Sequence, residues 1–233
     1  SVFINTNGSL TFGSSQTNFT PFTIDEDVLK PIIAPFFADV DTRAGQASAA
    51  TAGGTSKGTN LVYFDLDTAN STFTATWDDV GFFNNHNSKL NAFQVSLVGR
   101  ADQGSGNFDV LFRYEDINWT TGDTSGGSNG LGGTVARAGI SADNGTDFVE
   151  LGMSGVGNSM LNLDTAPGAG SADNGTWRFE FRSGSLQGFT QSGGDGVDIL
   201  HGGSGGDSFS AGSNDDSLLG FAGDDNMAGG AGN

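Results

Sequence analysis

Four aspartates, Asp198, Asp207, Asp216 and Asp225, recur at intervals of nine, each followed two residues later by a large apolar side chain: Leu200, Phe209, Leu218 and Met227. In rows of nine from Gly193 the segment reads GGDGVDILH, GGSGGDSFS, AGSNDDSLL, GFAGDDNMA and GGAGN, with seven acids and no Lys or Arg. Asp195, Asp215 and Asp224 add carboxylates, and the turns around Gly194, Gly196, Gly203 and Gly205 add backbone carbonyls. A donor set made of oxygen suits a hard divalent cation. Calcium fits best, since magnesium demands a tighter octahedron and zinc takes His or Cys. Composition by itself describes a disordered Gly/Asp/Ser tail. The common register of Asp and apolar positions predicts instead a segment that folds as metal binds.

Other chemistry is sparse. Asp39 and Asp41 in FFADVDTR share one face of an extended segment; they read either as a second metal or paired-carboxylate site, or as a structural pair with Arg43 as salt-bridge partner. Ser56 lies in GTSKG, a match to G-x-S-x-G, but that motif needs a strand, a sharp turn and a helix, and here it falls in an Ala/Thr/Gly loop. His86 and His201 have no evident triad or metal partner, and no H-E-x-x-H is present. The chain therefore reads as non-catalytic.

The charge balance narrows the partners. The 233 residues carry a net charge of −18, with 23 aspartates, four glutamates and three lysines. Such a surface repels nucleic acid and anionic membrane and attracts divalent cations. Cysteine is absent, which removes disulfides and thiolate metal sites, and no apolar run reaches the roughly 18 residues of a membrane-spanning helix. The opening SVFINTNGSL has neither an initiating Met nor signal-peptide character, so the chain reads as processed or excerpted.

The elements that must position these residues are strands. Period-two alternation runs through NAFQVSLVG, NFDVLFRYEDINW and TWRFEF, and similar stretches occur at VFINT, SLTF, IAPFFADV, LVYFDL, TFTATW, ARAGIS and DFVEL. About ten short strands separated by Gly, Asn, Asp and Ser predict a sandwich or barrel. The one plausible helical turn is Ile24 to Lys30, ended by Pro31. SADNGT occurs at Ser141 and again at Ser171, which predicts two similar turns. The small-residue stretches Gln46 to Gly58 and Thr120 to Gly133 are expected to be mobile, exposed loops.

NTNGSLTFG, IIAPFFADVDTR, FTATWDDVGFFNNHNSKLNAFQVSLV, FDVLFRYEDINW and ARAGISADNGTDFVEL, in that order, resemble the nidogen-like extracellular (NIDO) domain over roughly Ser1 to Phe181. The nine-residue rows resemble the haemolysin-type repeats-in-toxin (RTX) nonapeptide G-G-x-G-x-D-x-U-x, a calcium-binding pattern. The first resemblance implies an extracellular, non-catalytic module. The second implies type I secretion and a parallel β-roll: six residues of each row turn, three form a strand, and rows n and n+2 stack. That would set Asp198 above Asp216 and Asp207 above Asp225, at the strand spacing of about 4.8 Å.

The fold class expected is all-β: an antiparallel β-sandwich over residues 1–187, able to stand without its tail, followed by the start of a parallel β-roll over 188–233. The function expected is a calcium-binding structural or adhesion module of a larger secreted or surface bacterial protein. The alternative is an accessory or carbohydrate-binding domain of a secreted RTX-type enzyme. The start lies close to the family's NGSLTFG-like segment and the last row stops at GGAGN, so both ends read as open β-edges. Those edges would be closed by flanking sequence or by further copies in a homo-oligomer or filament; a cell-surface or matrix ligand is the other expected partner.

Overall fold

In the computed structural model of the chain, all residues are described except 26, 27, 29, 44, 46–48, 196 and 233, with 194 and 195 described by backbone alone. The alternating segments form strands β1 (Val2–Asn5), β2 (Ser9–Phe12), β3 (Ile32–Phe37), β4 (Val40–Asp41), β5 (Leu61–Asp67), β6 (Thr72–Phe82), β7 (His86–Gly99) and β8 (Phe108–Ile117). They continue with β9 (Arg137–Ser141), β10 (Phe148–Glu150), β11 (Thr176–Arg182), β12 (Ser185–Leu186), β13 (Thr190–Asp195), β14 (Ile199–His201), β15 (Ser208–Ser213), β16 (Ser217–Leu219) and β17 (Asn226–Ala228).

Two antiparallel sheets make the body. One has the order β1-β2-β3-β9-β10; the other runs β12-β11-β8-β7-β6-β4, with β5 also paired to β6. Their inner faces meet in an aromatic core. Trp77 stacks on Phe93 at 5.0 Å, Phe36 meets Trp119 edge-on at 5.5 Å, and Tyr114 meets Trp177 edge-on at 5.4 Å. The buried Tyr114 hydroxyl donates to the Pro35 carbonyl at 2.6 Å, which satisfies the polar end of that ring.

The rest of the chain is a parallel β-roll. β13, β15 and β17 form one parallel sheet, and β14 and β16 a second. Thr190 pairs with Ser208, Ile199 with Ser217 and Ser208 with Asn226, a constant offset of 18 residues, which is two nine-residue rows per coil. Strands β14 to β17 begin at the residue after each row's sixth-position aspartate. The stacking goes one row further back than the sequence reading placed it, because Phe189 occupies the slot that aspartate holds in later rows.

Body and roll share one core. Leu200, Phe209 and Ala211 belong to the same buried cluster as Val149, Phe179, Phe181, Leu186 and Phe189. Phe189 meets Phe179 edge-on at 5.8 Å and lies 6.3 Å from Phe209, while Val149 of β10 bridges to Gly203. A cut at 187 would uncover apolar surface that the roll covers, which the expectation of a self-sufficient body did not include.

Two loop expectations also change. In the segment from Thr120 to Gly133, Thr120, Thr121 and Ser125 are buried, and Thr120 and Thr121 donate to the Gly130 carbonyl at 2.7 and 3.0 Å. Gly130, at φ +85°, lets the turn lie against Trp119 and Phe82, where a Cβ would collide. The described part of the other loop is largely exposed, as expected, but tied to the sheet: Glu115 accepts the N–H groups of Thr55 and Ser56 at 2.8 and 2.9 Å, and Asp79 accepts that of Gly58 at 2.8 Å. Of the expected helical turn from Ile24 to Lys30, residues 26, 27 and 29 lie outside the described residues; Ile24 and Val28 are buried without helix. The two SADNGT turns share a backbone N–H donated by Asp143 and Asp173 to the serine two residues earlier, but they differ beyond it: Asp143 takes φ +55° and Asn144 accepts the Thr146 and Asp147 N–H groups, whereas Asn174 bridges to Pro167.

Candidate functional site

The roll builds its site by repetition. The Asp207 carboxylate accepts the Phe189 N–H at 2.9 Å, that of Asp216 accepts the Asp198 N–H at 3.0 Å, and that of Asp225 accepts the Asp207 N–H at 2.9 Å. Each aspartate thus reaches one coil back, and two columns result, Phe189-Asp207-Asp225 and Asp198-Asp216. Asp207 also accepts the Gly203 N–H at 2.8 Å. Asp207 is 2% exposed, and burial pushes its pKa above the usual carboxylate range, with the Asp225 charge adding to the rise. The second carboxylate oxygen of Asp216, Oδ2, is buried with no hydrogen-bond partner.

Glycine opens rows one, two and four, where a Cβ would collide with carboxylate oxygens. A Cβ on Gly202 would strike Asp207 Oδ2 and the Gly220 carbonyl; one on Gly193 would strike the Ala211 carbonyl and Asp198 Oδ2. Carboxylate and carbonyl oxygens of successive coils therefore face the same narrow space. The Gly205 turn stacks on that of Gly223, and the Asp224 carbonyl lies close to Gly206. At two of the positions where rows three and four depart from glycine, the backbone still takes the glycine-like conformation, with φ of +81° at Asn214 and +65° at Phe221.

The remaining candidates are placed as follows. Asp215 and Asp224 are exposed. The Gly203 carbonyl accepts the Ala222 N–H at 3.1 Å, and Gly194 pairs with Gly212 within the parallel sheet. The Asp195 side chain and Gly196 lie outside the described residues. Among the described residues, no group of three or more His, Cys, Asp or Glu side chains is arranged to hold a metal, so a cation in the roll would need backbone carbonyls to fill its shell. The all-oxygen donor set and the orphaned Asp216 oxygen fit such an ion.

Asp39 and Asp41 are close but dissimilar. Asp41 is gripped by Arg43 through Nε at 2.8 Å and Nη2 at 2.6 Å, and also accepts the N–H groups of Arg43 and Asn85; Arg43 holds its pKa down to about 2. Asp39 is 4% exposed with Oδ2 unpartnered, and burial, aided by the charges of Asp41 and Asp123, lifts its pKa to about 6. His86, expected to lack a partner, shares a hydrogen bond of 3.0 Å with Asp123 and stacks on Phe82. Ser56 Oγ accepts the Thr51 N–H at 3.2 Å, within the loop that Glu115 ties down. His201 lies against Phe221, with burial lowering its pKa.

The sheets that carry this roll, from β1 to the end of β11, coincide with residues 1–183, which match the model of the nidogen-like (NIDO) domain. The chain belongs to the nidogen-like domain family. Alpha-tectorin of Mus musculus is 36% identical over 163 residues and that of Homo sapiens 35%, each match covering 64% of this chain and 7% of the relative. Nidogen of Drosophila melanogaster is 31% identical over 195 residues, covering 77% of this chain and 13% of the relative. The chain thus spans a small fraction of the length of these curated relatives. No solved structure matches it. The nidogen-like match ends before Ser185, so the roll aspartates lie beyond it, while Asp39, Asp41 and the whole seven-stranded face except β12 lie within it.

A concave feature that the sequence reading did not single out lies on the outer face of that larger sheet, between the strands and Thr55, Ser56 and Lys57. Its residues come from five strands spread over more than a hundred positions, so no short window of sequence displays it.

Proposed function

We propose that this nidogen-like chain is an extracellular, non-catalytic structural or adhesion module of a larger secreted or surface protein, and that calcium organises its roll. The observation that carries the reading is the register of the aspartates. Asp207 lies one coil from Asp225 and Asp198 one coil from Asp216, with buried carboxylate oxygens facing turn carbonyls. Like charges brought that close repel unless a cation neutralises them. Asp198, Asp207, Asp216 and Asp225 would hold calcium together with turn carbonyls, and the ion would supply charge neutralisation rather than chemistry on a substrate. The RTX-like rows support a bacterial origin and type I secretion, with folding delayed until the chain meets extracellular calcium.

Support for a non-catalytic role comes from the family and from the histidines, neither of which lies in a nucleophile-base-acid arrangement among the described residues. No helix among the described residues is long and apolar enough to cross a membrane. Assembly with further copies by edge pairing is part of the proposal. On the outer edge of β5 no strand is paired among the described residues, and Phe64 and Leu66 stand exposed there beside Asp65 and Asp67, charges that discourage indiscriminate pairing.

The test is folding of the full chain as a function of calcium. Far-ultraviolet circular dichroism should gain β-signal on titration with calcium and lose it with chelator, with a midpoint of about 0.1 to 1 mM for sites of the extracellular class. Identical spectra with calcium and chelator would rule the reading out.

A further inference from the structure

We infer that the cavity on the outer face of the seven-stranded sheet binds an anionic sugar, a ring carrying a carboxylate or sulfate. Its floor is a single row of directly paired residues across five adjacent strands. Tyr63 of β5 pairs with Thr76 of β6, Thr76 with Gln94 of β7, Gln94 with Arg113 of β8, and Arg113 with Thr176 of β11. The alternate residues Trp77, Phe93, Phe112 and Trp177 turn inward to the core, so the row is held flat by the best-packed part of the molecule. The segment Thr55 to Lys57 walls the space above it. The cavity measures about 560 Å³, within the range of small-ligand sites.

Charge decides what enters. In a chain of net charge −18, free anions are repelled, so a site for one must be built from local cations. Arg43, Arg100, Arg137, Arg178 and Arg182 are each ion-paired to a carboxylate within the molecule. Among the described residues Arg113 is the one arginine with no ion pair; it donates to the Ser96 hydroxyl at 3.2 Å. Lys57, at the opposite wall, likewise has no ion pair among the described residues. The two acids of the cavity keep their charge but form no ion pair with Arg113 or Lys57 among the described residues, because their oxygens are engaged by the loop of residues 55–59. Asp78 accepts the N–H groups of Lys57 and Thr59 at 2.8 and 3.1 Å, and Glu115 accepts those of Thr55 and Ser56. The arginine fork and the lysine are therefore left for an oxyanion supplied from outside.

The rest of the row suits a sugar ring. Gln94 Nε2 donates to the Thr76 hydroxyl at 2.9 Å, and the Thr76 O–H, the second Gln94 N–H and the Thr176 hydroxyl on the far side of Arg113 can exchange hydrogen bonds with ring hydroxyls. Tyr63, 45% exposed, offers an aromatic face at the end of the row. A bare inorganic anion would use only the cations, whereas a charged sugar uses the whole row.

The test is titration of the full chain with glucuronate, glucose 6-sulfate, neutral glucose and inorganic sulfate, followed by chemical-shift changes of the Gln94 and Arg113 side-chain N–H groups. At least one anionic sugar should bind in the millimolar range and about tenfold more tightly than either glucose or inorganic sulfate; which one does so assigns carboxylate or sulfate. Arg113→Ala should weaken it about tenfold, Arg113→Lys by less, and Phe64→Ala on the neighbouring edge not at all. Equal affinity for sulfate and sugar, tighter binding of an oligoglutamate peptide, or unchanged affinity in the Arg113→Ala, Lys57→Ala double variant that still melts like the parent would each overturn the inference. The cavity residues lie within the nidogen-like segment, outside the roll, and the titration is run at fixed calcium so that the core shared with the roll stays intact. Failure of the calcium reading would leave this one standing, and the reverse holds too.

Discussion

The carboxylate of Asp207 accepts the backbone N–H of Phe189 at 2.9 Å, and in this pair the repeat meets the sandwich. Phe189 stands where every later row has aspartate. Its ring turns back onto Phe179 of the sheet, while its backbone serves as the first rung of the roll. The column of carboxylates thus ends on an aromatic residue of the shared core.

Removing that carboxylate should be felt in both units. Asp207→Ala leaves the N–H groups of Phe189 and Gly203 buried without partners, an expected loss of about 2 to 5 kcal/mol. Urea unfolding followed by tryptophan fluorescence, which reports on Trp77, Trp119 and Trp177 of the body, should show the loss. An unchanged fluorescence midpoint would mean that the join carries no energy.

The shared core makes a second contrast. Phe209 is 2% exposed and Met227, one coil on in the same column, is 50% exposed. Phe209→Ala should cost about 3 to 5 kcal/mol and Met227→Ala a small fraction of that, read from denaturant midpoints at fixed calcium. Equal effects would contradict the packing.

Asp39 sets a pH dependence. Its folded pKa is raised from 3.8 to about 6, so its contribution is fully present below the lower value and is lost as pH rises through the upper one. Asp39→Asn, which cannot ionise, should melt increasingly above the parent as pH rises from about 4 to 7. A melting difference independent of pH would show that Asp39 titrates normally.

Calcium should act through the same columns. Because the ion would bind the folded roll, melting temperature should rise with calcium concentration by mass action, and Asp198→Ala with Asp207→Ala should shift that dependence to higher calcium. Parent and variant responding identically would remove these aspartates from the site.

How much of this was legible in the residues depends on the range of the interaction. Alternation in FQVSL or WRFEF is complete within one strand, since side chains of a strand alternate faces whatever its neighbours are, so the strands and their buried faces could be read directly. That the rows of the roll stack at some multiple of nine was legible for a related reason, since like rows stack in register with themselves; the offset of 18, which brings Asp198 to Asp216 and Asp207 to Asp225, came from the resemblance to the RTX nonapeptide. Phe189 escaped because it keeps the spacing of that pattern but not its residue type.

Only the tertiary structure decided the rest. Asp39 and Asp41 are equivalent in the sequence FFADVDTR, yet one is held ionised by Arg43 and the other is pushed toward neutrality by burial, because the fold sends the single guanidinium to one of them. The glycine-rich segment from Thr120 to Gly133 has the composition of a mobile loop, but it packs on Trp119 and Phe82, surfaces assembled elsewhere. The row from Tyr63 to Thr176 exists only after five strands have been paired in register. Local periodicity is set by backbone geometry within a few residues. Burial, charge pairing and cross-strand neighbours are set by which distant segments meet, and no short stretch of this chain contains that information.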